Sequence, residues 1–307
     1  MIKLLICSLV LFSTVLPGVV VAESVKGLTL TPATKQITIA SGSGQTAVAF
    51  EVSNYSTATQ NLTFHLTDFS ADRLSDGAAQ LNIDNAGHDN RYGLINWANL
   101  EQHSATLKPG ESQVVTVRIN DDNSLIAGGH YGALVVLGSV SQSTSAGHYV
   151  ALSQSINGLI FLTKTGGEVY GLNLSNVESS GSLLAQSPIL SMRFQNTGNV
   201  HTVPRGIAQV FDPRGRLISQ GVINEDSDLI LPQTNRLERI QLISVSKANM
   251  IGRYHLNVQY HRDGDDNVLS SSVYFFYVPP YLVVLGILFV FGIGVLLLRK
   301  RLRLRKK

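Results

Sequence analysis

Cysteine and tryptophan are nearly absent from this chain, and charged residues make up only 15% of it. The one cysteine, Cys7, lies in an apolar N-terminal segment, so the rest of the chain has no disulfide framework, thiol nucleophile or cysteine metal site. Glycine is frequent, at 27 residues, but it shows no three-residue period, which excludes a collagen-like fibre. The hydrophobic fraction of 44% excludes a disordered chain, and the length of 307 residues suggests two domains.

The charges are unevenly distributed along the chain. Of the 24 Lys and Arg residues, seven lie in the last nine positions, and Lys3 stands alone near the N-terminus. Between these ends, 16 basic residues remain against 21 acidic ones. The middle of the chain is therefore mildly acidic, which predicts no nucleic-acid partner.

Both ends of the chain carry apolar segments that predict where the protein is located in the cell. Lys3 followed by a short apolar core and the small residues before position 23 predicts a signal peptide at residues 1–22, cleaved after Ala22. The uncharged run from Tyr281 to Leu298 is long enough for a membrane helix, predicted at residues 279–298.

The residues that follow this run predict its orientation. Arg299, Lys300 and Arg301 open a basic tail at residues 299–307, which the positive-inside rule places in the cytoplasm. The sequence therefore predicts a single-pass protein of the cell membrane, with residues 23–278 outside the cell. Tyr281 lies where interfacial aromatic residues of membrane helices are found.

Between the two ends, apolar residues recur with the two-residue period of half-buried strands. The clearest such runs are centred on Phe50, Phe64, Val117, Met192, Val258 and Phe275. Residues 131–140 are more continuously apolar, as in a central strand. Short strands separated by Gly, Pro and Asp turns predict an all-β fold with two tandem immunoglobulin-like β-sandwiches, at residues 23–165 and 166–278, followed by the helix.

The sequence offers no set of residues positioned for catalysis. It contains no HExxH, GxSxG, P-loop or dinucleotide-binding glycine motif in a suitable context. The acidic run at residues 263–267 lacks the calcium loop's length and distal glutamate, and it is typical of a turn. We therefore expect no enzyme, no cofactor and no metal site.

An aromatic set in the first sandwich is the candidate ligand-binding site. Tyr92, Trp97, His130 and Tyr131 could present aromatic faces edged by polar groups, as sugar-binding surfaces do. The alternative, which we favour for Trp97, is that it fills the core of the sandwich.

Four short motifs resemble the N-terminal domain of WxL-interacting proteins. They span residues 28–163 and are Leu30-Thr31-Pro32, Tyr92-Gly93-Leu94 with Trp97, Leu107-Lys108-Pro109-Gly110-Glu111, and Gly128-Gly129-His130-Tyr131-Gly132-Ala133. The resemblance implies a Gram-positive surface protein whose outer, immunoglobulin-like domain binds peptidoglycan. Ala127 stands where that pattern has proline, which is a local departure in loop shape.

These features predict a non-catalytic, membrane-anchored surface protein whose outer sandwich binds peptidoglycan or a cell-wall-associated protein. The alternative is a structural spacer, or a pilus-chaperone-like protein that holds secreted subunits by strand addition. That alternative requires a long, apolar, unpaired edge strand, for which the sequence suggests residues 133–140. A wall-degrading enzyme ranks below both.

Overall fold

A computed structural model describes residues 27–71, 77, 79–81, 90–143, 149–180, 182–185 and 187–304. The predicted signal peptide, with its cleavage site, lies outside the described residues. Within them the chain forms two β-sandwiches followed by one helix. This confirms the predicted all-β, immunoglobulin-like fold with a C-terminal apolar helix.

The described residues of domain 1 form ten strands. They are β1 (Leu28–Thr31), β2 (Thr34–Ile39), β3 (Gln45–Asn54), β4 (Gln60–Ala71), β5 (Ala79–Leu81), β6 (Ala98–Leu100), β7 (Ser104–Leu107), β8 (Ser112–Asn120), β9 (Gly128–Ser143) and β10 (Tyr149–Lys164). One sheet has the order β1-β3-β8-β6; the other has β2-β10-β9-β4-β5, with β7 also paired to β4. The chain changes sheets between β1 and β2, so these two short strands close the same side of the sandwich.

The core of domain 1 lies between its two sheets. Val48, Phe50 and Val52 of β3 are buried, whereas the residues between them are exposed, as the alternating sequence predicts. They pack against inward residues of the other sheet, such as Phe64 and Leu162. Burial of each such side chain contributes roughly 1.5–3 kcal/mol to the stability of the fold. A shift of one residue in strand pairing would turn this face toward solvent, so its burial fixes the register of the long strands.

In the part of domain 2 that the structure describes there are eight strands. They are β11 (Leu172–Ser180), β12 (Ile189–Asn196), β13 (Pro204–Phe211), β14 (Leu217–Ile223), β15 (Asn235–Gln241), β16 (Ile243–Ser244), β17 (Gly252–Arg262) and β18 (Leu269–Tyr277). The sheets have the orders β11-β12-β15 and β16-β14-β13-β17-β18. Phe194, Tyr254 and Leu256 lie in the core between them. The predicted domain boundary at residues 165/166 falls between β10 and β11.

The two domains fix a strand end with the same device, a buried asparagine. Asn196 closes β12, and its side-chain amide donates to the carbonyls of Val200 and Ile230 while its oxygen accepts from Gly198 N–H. Asn54 at the end of β3 does the same with three backbone groups of its own domain. Since each buried amide is fully satisfied, it ties a turn to a second loop at little desolvation cost.

The helix α1 (Pro280–Leu304) begins three residues after β18 ends. Its window Pro280–Leu297 is long and apolar enough to cross a membrane, and none of that window is buried against the sandwiches. The helix continues past Leu298, the predicted end of the apolar span, through Arg299, Lys300 and Arg301. Pro280 at its first position costs no hydrogen bond, because the first N–H groups of a helix have no partner within it.

The prediction of an unpaired edge strand at residues 133–140 is wrong. These residues belong to β9, which pairs with β4 on one side and with β10 on the other. Their continuous apolar character reflects burial in a central strand, as the sequence also indicated for residues 131–140. The unpaired edge lies one strand further, on β10.

Candidate functional site

The hairpin of β9 and β10 extends beyond the rest of domain 1. The two strands, of 16 residues each, pair along their whole length, from Gly128↔Lys164 to Ser143↔Tyr149. On its other side, β9 pairs with β4 only as far as Ser139↔Asn61. Residues 140–143 and their partners 149–152 therefore project past the last pair with β4, and we call them the projecting hairpin.

One side of β10 is open along ten residues, which we call the β10 edge (residues 149–158). β2 covers this side only from Leu159 to Lys164, in parallel register with Thr34 to Ile39. Among the described residues, no strand pairs with residues 149–158 on that side. β1 lies beside the part of this edge that is nearer to β2. There the Gln154 side-chain oxygen accepts a hydrogen bond of 3.2 Å from Leu28 N–H.

The direction of the backbone groups along the β10 edge follows from one hydrogen bond. Leu159 N–H donates outward to Ala33 C=O at 2.9 Å. Because N–H and C=O groups alternate sides along a strand, the odd-numbered residues of the edge also point outward. Residues 149, 151, 153, 155 and 157 thus offer five N–H donors and five C=O acceptors to an additional strand.

The β10 edge lacks the features that protect sheet edges from pairing. Asp, Glu, Lys and Arg are all absent from residues 131–163. By contrast, β15 carries Arg236, Glu238 and Arg239, and β11 is interrupted by a bulge near Ser175. Natural proteins use charges, bulges or short strands to protect exposed edges, so a long, uncharged edge indicates a pairing site.

β18 presents a second unpaired edge in the described residues, at Leu269–Tyr277. It also lacks charge, but its last residue lies three positions before α1. An entering strand there would meet the start of the helix, which makes β18 the weaker candidate.

The β10 edge and α1 lie at opposite ends of the molecule. Domain 2 contacts the other end of the β9–β10 hairpin, where Gly129 N–H donates to Asn199 C=O at 2.8 Å. A 16-residue strand is about 50 Å long at 3.3 Å per residue. The projecting hairpin is therefore about 50 Å from the domain junction, on the side away from domain 2.

Two of the four aromatic candidates hold a loop. The His130 ring is fully buried, and its two nitrogens lie 3.1 and 2.9 Å from the carbonyl oxygens of Gly93 and Ile126. Trp97 is partly buried, packs edge-on against His130, and donates its indole N–H to Ser124 Oγ at 2.8 Å. Trp97 thus packs against the domain 1 core without filling it, while its polar end fixes the loop before β9.

The other two candidates lie at the domain junction. Tyr131 is 1% exposed, and its hydroxyl accepts a hydrogen bond of 2.8 Å from His201 N–H of domain 2. Burial raises the pKa of the Tyr131 hydroxyl well above its usual value. Tyr92 is partly buried against the same junction cluster, which includes Phe161 and Leu231. The structure does not bring the four residues together on one exposed face, and ligand contact by any of them stays a prediction.

His201 is a junction residue that the sequence did not single out. Its ring packs edge-on against Tyr131 and Phe161, with centroid distances of 5.7 and 5.3 Å. Burial disfavours the imidazolium form and lowers the pKa of His201 from 6.5 to about 4. No local signal marks this residue, because its burial arises from docking of the two domains.

Neither a protein-family model nor a curated protein matches this chain. Among solved structures it is similar to the YadV chaperone, at 10% identity and a TM-score of 0.38, over 81% of this chain and 99% of that one. It is also similar to the Escherichia coli chaperone DraB, at 10% identity and a TM-score of 0.37, over 80% and 98%. A chain of the Salmonella enterica SafA pilin in complex with the SafB chaperone gives 10% and 0.36, over 84% and 99%. Since each TM-score is below 0.5, the fold and the site rest on this chain's own sheets, and its resemblance to WxL-interacting proteins stays a prediction.

Proposed function

We propose that this chain is a membrane-anchored, non-catalytic protein that binds an extended segment of a partner protein by strand addition at the β10 edge. The observation that carries the proposal is the ten-residue, uncharged, unpaired edge of β10. The partner segment would be a strand with alternating apolar residues, because main-chain hydrogen bonds give such pairing its affinity and alternate side chains its specificity.

The size of the edge suits this role. Ten residues of strand span about 33 Å and place five donors and five acceptors on the open side. A typical hydrogen bond contributes a net ~0.5–1.5 kcal/mol, so a fully paired segment gains several kcal/mol before its side chains are counted. The entering strand also replaces the bond between Gln154 and Leu28 N–H, which is a small cost.

The remaining parts of the chain support a display role. α1 would span the membrane with its basic end in the cytoplasm, and the two sandwiches would lie outside the cell. Domain 2 would then act as a spacer that holds the β10 edge away from the bilayer. This arrangement suits capture of proteins at the cell surface, including those associated with the wall.

One substitution tests strand addition directly. Ser155 is exposed and its N–H points outward, so Ser155→Pro removes one edge donor without removing a bond to β9. Ser155→Ala is the matched control, because it keeps the N–H and loses only the hydroxyl. The probes are ten-residue peptides with alternating apolar residues, selected by display against the wild-type chain in lipid nanodiscs.

The expected result is that selected peptides bind wild type and Ser155→Ala equally and lose at least tenfold in affinity for Ser155→Pro. Loss of one hydrogen bond of about 1 kcal/mol, together with the proline ring in the path of the strand, accounts for this factor. Unchanged peptide affinity for Ser155→Pro would reject strand addition at this edge. A sedimentation assay with insoluble peptidoglycan separates the glycan alternative, since retention of both variants would favour it.

A further inference from the structure

One end of domain 2 lies directly against the start of α1. We call it the helix-proximal end and define it by three segments, the turn at residues 213–215, the loop at residues 245–251 and the chain at residues 276–279. Only Val278 and Pro279 separate β18 from α1. A link of two residues keeps this end within about 10 Å of the first turn of the helix.

Direct contacts join the three segments and the helix. Tyr281, in the first turn of α1, donates its hydroxyl to Asn249 C=O at 3.3 Å. Arg216 donates to the Asn249 side chain at 3.3 Å, which ties the turn to the same loop. Pro213 packs closely against Gly252, whose cross-strand partner is Tyr277. The end is therefore one surface and not three separate loops.

Large apolar side chains project from this surface into solvent. Five of them are between 40% and 69% exposed, namely Val245, Ile251, Phe276, Val278 and Tyr281. Phe276 stands opposite Arg253 on the outer face of the sheet, away from the core residues of β18. Clustered apolar exposure of this kind marks an interaction site.

The charges of domain 2 are polarised along the same axis. The helix-proximal end and its first strand residues carry four exposed basic side chains, Arg214, Arg216, Lys247 and Arg253. The acid among them is Asp212, which is buried and paired with Arg216. In the described part of the chain, Arg214 and Lys247 take part in no ion pair.

The opposite end of domain 2 has the reverse balance. Two loops there carry six carboxylates, namely Glu225, Asp226, Asp228, Asp263, Asp265 and Asp266. Three arginines of the adjoining strands, Arg205, Arg236 and Arg262, pair with three of them. These six carboxylates thus lie far from α1, whereas the cations that form no ion pair lie next to it. This is the charge arrangement that an anionic surface beside the helix would favour.

We propose that the helix-proximal end of domain 2 is a lipid-binding surface for a bilayer that contains anionic headgroups. Arg214 and Lys247 bind lipid phosphates, while Ile251 and Phe276 insert between headgroups beside α1. The proposal rests on α1 spanning the membrane, as proposed above, and goes beyond it by fixing how domain 2 lies on the bilayer. The headgroup layer is about 5–8 Å deep on each side, and Tyr281 in the first turn of α1 contacts Asn249 of the same surface.

The test uses nitroxide labels on the full chain in nanodiscs. In a Cys7→Ser background the chain has no other cysteine, so single labels can be placed at Ile251→Cys and Phe276→Cys. Val114→Cys in domain 1 is the matched control, because Val114 is similarly exposed but distant from α1. Leu288→Cys in the helix reports whether α1 spans the bilayer. The measurement compares accessibility to oxygen, which partitions into lipid, with accessibility to a water-soluble nickel chelate.

In discs with 30% phosphatidylglycerol, labels at 251 and 276 are expected to show several-fold higher oxygen-to-nickel ratios than the label at 114. That difference should fall at least threefold in phosphatidylcholine discs and in the Arg214→Gln/Lys247→Gln variant. The control variant Lys35→Gln/Lys108→Gln, in domain 1, should leave this difference in oxygen-to-nickel ratio unchanged. A lipid-exposed label at 288 with water-exposed labels at 251 and 276 overturns this proposal alone, whereas a water-exposed label at 288 overturns the membrane anchor as well. Equal ratios in neutral discs, or in Arg214→Gln/Lys247→Gln, overturn the assignment of headgroups to these two cations.

Discussion

His201 makes the stability of the domain junction depend on pH. Its pKa is lowered from 6.5 to about 4 by burial between Tyr131 and Phe161, so folding stabilises the neutral imidazole. Below pH 6.5 the unfolded chain binds a proton that the folded chain does not, and stability is lost as the pH falls toward 4. Between pH 7.5 and pH 4.5 the shift corresponds to a loss of up to about 2.5 kcal/mol.

The assay compares the wild-type chain with His201→Phe in nanodiscs by urea unfolding at both pH values. Phenylalanine keeps the edge-on packing but does not titrate, and the hydrogen bond from the backbone N–H of residue 201 to the Tyr131 hydroxyl remains. Carboxylates titrate in both proteins, so the difference between the two isolates His201. We expect wild type to lose about 2 kcal/mol more than His201→Phe between pH 7.5 and pH 4.5. Parallel losses within about 0.5 kcal/mol would refute the assignment of a buried, neutral His201.

Three further substitutions, with Tyr92→Phe as a control for the first, test the contacts described above by chemical unfolding at pH 7.5. Tyr131→Phe removes the acceptor for His201 N–H and should destabilise the junction by about 1–2 kcal/mol, whereas Tyr92→Phe in the same cluster should cost less. Asn196→Ala leaves two buried carbonyls and one N–H without their partner and should destabilise domain 2 by about 3 kcal/mol; a loss below about 1 kcal/mol would contradict its structural role. Lys164→Met removes the cation that pairs with the Asp121 carboxylate and should destabilise domain 1, and a near-neutral result would show that the pair is solvated.

The sequence predicts those parts of the fold in which one face of a strand is buried. Alternation around Phe50, Met192 and Val258 gave strands at the expected positions because side-chain burial fixes a two-residue period. The segment Asp212-Pro213-Arg214-Gly215 is likewise typical of a β-turn, because proline pre-sets the bend, and it joins β13 to β14.

Pairing between distant strands was harder to predict. The parallel pairing of β2 with Leu159 to Lys164 joins segments about 125 residues apart, and alternation does not report which strand is the neighbour. For this reason the sequence suggests an edge at residues 133–140 of β9, whereas the unpaired edge lies on β10. The absence of charge from residues 131–163 was visible in the sequence and marks the correct hairpin.

The aromatic candidates show why residue type alone did not locate the site. His130 and Tyr131 are adjacent in the chain, yet one side chain holds a loop of domain 1 and the other contacts domain 2. Adjacent residues of a strand point to opposite faces, so a cluster in sequence is divided between two environments. An unpaired strand edge, by contrast, is not marked by any particular residue type. Its donors and acceptors are backbone N–H and C=O groups, which nearly every residue has.

A membrane anchor would also decide what the β10 edge can bind. Two identical edges pair through a two-fold axis perpendicular to the strands, which makes the strands antiparallel. Copies anchored in one bilayer by α1 with β10 along the membrane normal would all direct the projecting hairpin the same way, so this pairing would be unavailable to them and the edge would stay open to a different chain. In detergent micelles the orientations are independent, and we expect wild type and Ser155→Ala to dimerise through β10 while Ser155→Pro remains monomeric. Sedimentation equilibrium in detergent, compared with crosslinking of copies reconstituted together in vesicles, measures the difference; dimers of equal strength in both settings would mean that the anchor does not protect this edge.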